Sequence, residues 1–455
     1  MRMRGCSGWV VIGFLLGMGM PQVVVGQLPV LEYKSERMLT RSELGSSPEI
    51  RVGPDGSVVI ANPAARLFHV QPQGKGPFET VNVGNIASSA FPFRFGWSGG
   101  RIWAIDWAQS EVIWFNADWA VRDRSELRRP DPEGIVRSSR LLGVTAAGLR
   151  VFEGRAGLGS EAASERGYVI DPDGVLLALP LPRPIPVADR PIWLSDPDGE
   201  IVDTLVTIPA PRAVNFLYRD GTWQGPVRGA RSKEFIHPYT DHPVFGMDPT
   251  GRHFVLVERA VVGDVDRARY HTYHMTTSGD TVSTRAHPFR PIPISKDWVD
   301  AEMARIVQDL GEEAAEALRR GLEMPRWLPP VTKVVVGPDG SSWVRREAVP
   351  GAQEIVWDLL APTGNRMGQV ALPAGLSVNA VAAFTGWAIQ ESDGSLWRID
   401  VEQRVDAMKA TPNVRTLPVN SPLSPSARGS MAIMEVHALR MPGPSAMPLA
   451  QTGRE

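Results

Sequence analysis

Few stretches of this chain combine residue types and spacing that could do chemistry. Gly96-Trp97-Ser98-Gly99-Gly100 fits the G-x-S-x-G spacing of a nucleophile elbow, a sharp turn that exposes a serine for acyl transfer. An elbow needs a strand before it, a helix after it, and Asp and His further along. Here a strand-like run, Arg101–Asp106, follows at once, so the five residues read as a turn. Six of the eight histidines fall between His237 and His287. His271 and His274 are three apart on an expected strand, which turns them to opposite faces and away from a shared metal. His237 and His242 flank a Pro-Tyr-Thr-Asp loop and could approach one ion beside Asp241; the competing reading is ordinary loop histidines. Gly263-Asp264-Val265-Asp266 resembles part of a calcium loop but lacks the alternating ligands and the closing bidentate Glu, so it reads as a solvated hairpin tip. No catalytic, cofactor-binding or metal-binding residue is assigned from these patterns.

The elements around them are clearer. In Val331–Ala361 an apolar run, Val334–Val336, reaches Gly337-Pro338-Asp339-Gly340, a second run leaves over Ser342–Arg345, and a third follows at Ile355–Leu359. Proline presets φ for the first central turn position, Asp bonds its own backbone, and Gly accepts positive φ, so consecutive runs pair antiparallel. Related turns recur at Gly53–Gly56, Asp171–Gly174, Asp196–Gly199 and Asp248–Gly251, with shorter forms at Asp220-Gly221 and Asp393-Gly394. Seven candidate units follow, near 49–70, 91–127, 141–179, 192–223, 243–289, 331–372 and 377–401. Leu179–Pro191 carries five prolines and reads as an extended, unpaired connection. Residues 296–322 break the pattern: Trp298, Met303, Ile306, Val307 and Leu310 recur at helical spacing behind a Ser295 cap, which predicts an inserted amphipathic helix.

The chain has 455 residues, of which 43% are apolar and 22% charged, with 44 Gly and 40 Pro. These values fit a turn-dense β protein. A net charge of −2 speaks against nucleic acid or an anionic membrane as partner. Arg2 and Arg4 precede an apolar stretch, Trp9–Met20, and the small residues near Gly26 allow cleavage before Gln27. Residues 1–26 therefore read as a signal peptide, with a membrane anchor as the alternative, and predict a protein exported to the periplasm or beyond without stable membrane insertion after cleavage. Cys6, the chain's one cysteine, lies within that segment, so the mature protein is held by packing without disulfides. Residues 405–455 form a Pro- and Ser-rich tail expected to be partly disordered.

Repeated meanders that cannot bury their faces alone must stack, and radial stacking of six or seven gives a β-propeller. Arg51–Ile60 (RVGPDGSVVI) and Arg101–Phe115 (RIWAIDWAQSEVIWF) resemble blades of six-bladed propellers of the NHL and TolB-like kind, and residues 28–404 are similar to exported bacterial proteins of that fold. The resemblance implies six four-stranded antiparallel blades, with seven still open and Pro29–Thr40 lending a strand to the last blade. It is nearly silent on activity. The expected function is a binding module that offers loops and a central channel to a protein or small ligand, without a cofactor. A metal-dependent hydrolase of the lactonase type and a carbohydrate binder using some of the 14 tryptophans are the alternatives.

Overall fold

The inner runs are apolar at successive positions, which suits strands covered on both faces. The computed structural model describes residues 30–402 apart from 46–47, 63, 84–93, 107–108, 131–137, 156–167, 171–175, 178–188, 210–212, 219–230, 237–238, 263–266 and 311–324. The chain divides into a first unit, Met1–Arg404, and a second, Val405–Glu455, which lies outside the described residues.

Six sheets are four-stranded antiparallel blades in chain order. Strand β1 (Tyr33–Leu39) precedes them. Blade 1 comprises β2 (Glu49–Val52), β3 (Val58–Asn62), β4 (Leu67–Gln71) and β5 (Glu79–Asn82). Blade 2 comprises β6 (Phe95–Ser98), β7 (Arg101–Asp106), β8 (Glu111–Phe115) and β9 (Val121–Glu126). Blade 3 starts with β10 (Ser138–Val144) and β11 (Arg150–Arg155), is interrupted by β12 (Tyr168–Ile170) and β13 (Leu176–Leu177), and resumes with β14 (Arg190–Ser195) and β15 (Ile201–Ile208). After β16 (Ala213–Tyr218) and β17 (Arg231–Ile236), blade 4 runs through β18 (Val244–Met247), β19 (His253–Val262), β20 (Arg269–Thr276) and β21 (Thr281–Pro288). Blade 5 is β22 (Val331–Val336), β23 (Ser342–Arg346), β24 (Glu354–Leu360) and β25 (Arg366–Pro373). Blade 6 takes β26 (Leu376–Ala382), β27 (Thr385–Gln390) and β28 (Leu396–Val401), and β1 completes it by pairing antiparallel with β28, Tyr33 opposite Val401. The N-terminal strand thus closes the ring, as the sequence suggested.

The alternating side chains of inner strands feed two interfaces at once. On β7, Ile102 and Ala104 pack toward blade 1, while Trp103 and Ile105 pack toward blade 3. On β22, Val335 faces blade 6, and Val334 and Val336 face blade 4. A period of two with apolar residues in both phases is what gives the continuous run. Six apolar clusters result, one between each consecutive pair of blades and one between blade 6 and blade 1. Six interfaces close a ring of six blades.

The sequence separates seven units, and the structure corrects that count. The third and fourth units are one blade split by an insertion: β11 pairs directly with β14, and β12 pairs parallel with β16 in a separate sheet ordered β13-β12-β16-β17. Pro191 is correspondingly part of β14, opposite Thr207, and not an unpaired connector. The turns behave as their residues dictate. At Gly337–Ser341, Asp339 Oδ1 accepts from the Ser341 amide at 3.2 Å and its hydroxyl at 2.6 Å, and Gly340 takes φ +80°. Asp55 and Ser57 repeat the arrangement, with Gly56 also at φ +80°.

The inserted helix spans Lys296–Leu310 between blades 4 and 5, with residues 311–322 of the expected span outside the described residues. Ser295 Oγ accepts from the Trp298 amide at 3.3 Å, the cap its position implies.

Candidate functional site

In a closed ring the innermost strand of every blade faces the axis, so residues remote in sequence meet there. A cavity of about 470 Å³ occupies this position, and β2, β10, β18, β22 and β26 all line it, with blade 2 represented by Arg94 just before β6. Its walls carry Arg51, Arg94, Arg140 and Lys333 against one carboxylate, Glu49.

These charges are not equally balanced. Glu49 is committed to Arg51, accepting from Nη2 at 2.6 Å and Nε at 2.9 Å. Burial pushes the Glu49 carboxyl up, opposed by Arg51 and, more weakly, by Arg140. Arg94 Nη1 donates to the Leu141 carbonyl of blade 3 at 3.3 Å. Arg140 lies 4.0 Å from Glu153, which is held more closely by Arg190 at 2.9 Å. Lys333 Nζ, on blade 5, donates to Asn379 Oδ1 at 2.9 Å and Ser377 Oγ at 3.4 Å, both on blade 6. Burial, helped by Arg345, holds its ammonium down to about 8.

Pro249 also belongs to the cavity wall. It sits in the buried Asp248–Gly251 turn of blade 4, and its carbonyl accepts from the Trp97 amide of blade 2 at 2.8 Å. Gly251 lies so close to the Val144 carbonyl of blade 3 that a Cβ there would collide with backbone, at a φ of +65°. Asp248 fixes the turn by accepting from the Thr250, Arg252 and His253 amides.

Where they fall on described residues, the motifs singled out from the sequence lie elsewhere or are absorbed into packing. Ser98 closes β6, is 1% exposed, and donates its Oγ to the Thr145 carbonyl of blade 3 at 2.5 Å. A hairpin to β7 follows it where an elbow needs a helix. His274 points inward, and burial lowers its imidazole to about 4. His271, on the opposite face of β20, stands 3.7 Å from Glu258. His242 is lowered to about 4 by burial and by Arg190 and Arg259. His237 and Gly263–Asp266 lie outside the described residues, as does Trp107. Trp103, Trp114, Trp343, Trp357 and Trp387 belong to the inter-blade clusters, and Trp397 packs against one of them.

A lactonase-type metal would need several converging carboxylates. Among the described residues no three His, Cys, Asp or Glu side chains converge, and the one cavity carboxylate is paired with Arg51 among three further cations. These donors do not fit a divalent ion.

No protein-family profile and no curated protein matches the chain. Solved structures that resemble it include virginiamycin B lyase from Staphylococcus aureus, at 12% identity and a TM-score of 0.34 over 82% of this chain and 100% of that one. A luciferin-regenerating enzyme aligns at 11% identity and TM-score 0.35, covering 82% of this chain and 97% of its own. A duf4221 family member from Bacteroides vulgatus gives 10% identity and TM-score 0.37, over 83% and 98%. Likeness at this level does not bear on activity, and the fold rests on the strand pairing itself.

Proposed function

We propose that this protein is an exported binding propeller, of the NHL and TolB-like kind, that takes a small ligand in its central cavity. The observation that carries the reading is convergence. All six blades contribute to a single axial cavity of about 470 Å³, within the volume range of small-molecule sites. Its wall is rich in polar side chains, whereas Ser98 and the described histidines His242, His271 and His274 are not part of its lining. Export is supported by the charged start, apolar stretch and small residues of the first 26 positions. No helix among the described residues is long and apolar enough to cross a membrane.

Two measurements test this. Ligand-observed NMR of the mature protein with a mixed library of charged and neutral fragments should yield binders that are lost in Asn379→Trp, which fills the cavity from blade 6. Binders that persist in a folded Asn379→Trp protein would place the site elsewhere. Mass spectrometry of the protein recovered from the cell envelope should show an N-terminus at Gln27; an intact Met1 would refute cleavage.

A further inference from the structure

We infer that the central cavity is built for an anion, a small organic molecule whose phosphate or carboxylate oxygens meet Arg94, Arg140 and Lys333. The inference rests on the binding reading above and adds the chemistry of the ligand.

Three blades deliver these cations to one space. Arg94 precedes β6 of blade 2, Arg140 lies on β10 of blade 3, and Lys333 on β22 of blade 5. Among the described residues, no carboxylate lies within ion-pair distance of Arg94 or Lys333, and the contact from Arg140 to Glu153 is at the 4.0 Å limit. Glu153 already receives Arg190 at the shorter distance, and Glu49 already receives Arg51. The chain thus supplies counter-charge to the fourth cation and leaves three to share a partly dehydrated cavity.

Burial and the nearby Arg345 disfavour the charged form of Lys333, whose hydrogen-bond partners are neutral. That burden falls on the free protein and is relieved when an anion enters. The partners of these side chains also fix their directions. The Leu141 carbonyl positions Arg94, and Asn379 with Ser377 positions Lys333, so the donors are arranged before a ligand arrives. A guanidinium fork and an ammonium together suit oxygens presented in more than one direction, as on a phosphate or a tricarboxylate. The competing explanation is that these cations only strap neighbouring blades together. It accounts for the bonds of Arg94 and Lys333, but not for Arg140, whose side chain is 49% exposed and holds no close partner among the described residues.

The test measures melting temperature in sodium phosphate, sodium citrate and sodium chloride at matched ionic strength and pH. The mature wild-type protein should melt several degrees higher in phosphate or citrate than in chloride, and the larger of the two shifts identifies the preferred group. Lys333→Met and Arg140→Gln should each remove most of that difference. Arg140→Gln alters a half-exposed side chain, so it reports even if Lys333→Met fails to fold. Equal melting in all three salts, or an oxyanion shift retained in both variants, overturns the inference. A neutral fragment bound in the cavity alongside equal melting would sink the anion assignment alone. Absence of any cavity binder would sink the binding reading with it.

Discussion

The Tyr270 hydroxyl of blade 4 donates to Asp358 Oδ2 of blade 5 at 2.6 Å, with both side chains fully buried. Arg346 Nε at 2.8 Å, Arg366 Nη2 at 3.2 Å and Gln369 Nε2 at 2.7 Å complete the shell around the same carboxylate. Burial pushes the Asp358 carboxyl up, yet Arg346 and Arg366 outweigh it and hold it below its ordinary value. Removing the shared acceptor leaves two part-buried guanidiniums without their partner. Asp358→Ala should lower the unfolding free energy by about 3–5 kcal/mol, as expected when one side of a buried ion pair is lost. Tyr270→Phe should cost less, about 1.5–3 kcal/mol for one bond to a charged acceptor. Urea unfolding followed by tryptophan fluorescence checks both, and equal costs would show that the network does not centre on Asp358.

Acid should weaken the fold well before the carboxylates titrate in bulk. Burial lowers His242 and His274 to about 4 and His287 to about 3, from an ordinary 6.5. The unfolded chain therefore takes up these protons first. The stability they allow is complete above about pH 6.5 and declines as pH falls from there toward 3. His287→Gln retains a group able to meet Thr272, which His287 Nε2 meets at 2.9 Å, but cannot be protonated. Urea midpoints between pH 7.5 and 4.5 should fall less steeply in that variant than in wild type.

Ser98→Ala separates a nucleophile from a structural hydroxyl. The Oγ bond to the Thr145 carbonyl joins blade 2 to blade 3, so its loss should cost about 1 kcal/mol. Hydrolysis of a simple nitrophenyl ester should be the same for wild type and variant. A rate that disappears with the hydroxyl would restore the elbow reading.

Trp343 offers a test of the blade 5 and 6 interface. It is fully buried, lies 6.5 Å from Trp357 in an edge-on arrangement, and donates its indole N–H to the Ala383 carbonyl of blade 6 at 2.8 Å. Trp343→Ala should destabilise by about 3–5 kcal/mol, as expected for a large buried aromatic. Calorimetry should show one lowered transition, because the loss falls on a shared interface.

What could be read in advance follows the range of the physics. The Gly-Pro-Asp-Gly turns are local devices, and inner strands such as β7 and β22 announce themselves by apolar residues in both phases. Outer strands were harder. In β5 (ETVN) and β9 (VRDRSE) nearly every side chain is exposed, so no apolar alternation marks them. The split of blade 3 was hidden because β12 and β16 have strand-like composition whichever sheet they join, and only pairing decides between them. The cavity cations carried no signal at all. Arg94, Arg140 and Lys333 each resemble ordinary solvated residues along the chain, and only ring closure brings them to one place. The histidines of β20 were legible by contrast, since a spacing of three on a strand already sends His271 and His274 to opposite faces.

The pairing of Tyr33 with Val401 also bears on how this molecule is made. Each blade can zip up from neighbouring segments soon after synthesis, but the first strand must wait for the last one to emerge before it has a partner. Ring closure is therefore an end-to-end event with a large loop entropy, separable in time from blade formation. Until then blade 6 presents the unpaired edge of β28, a template to which the edge of another nascent copy could add.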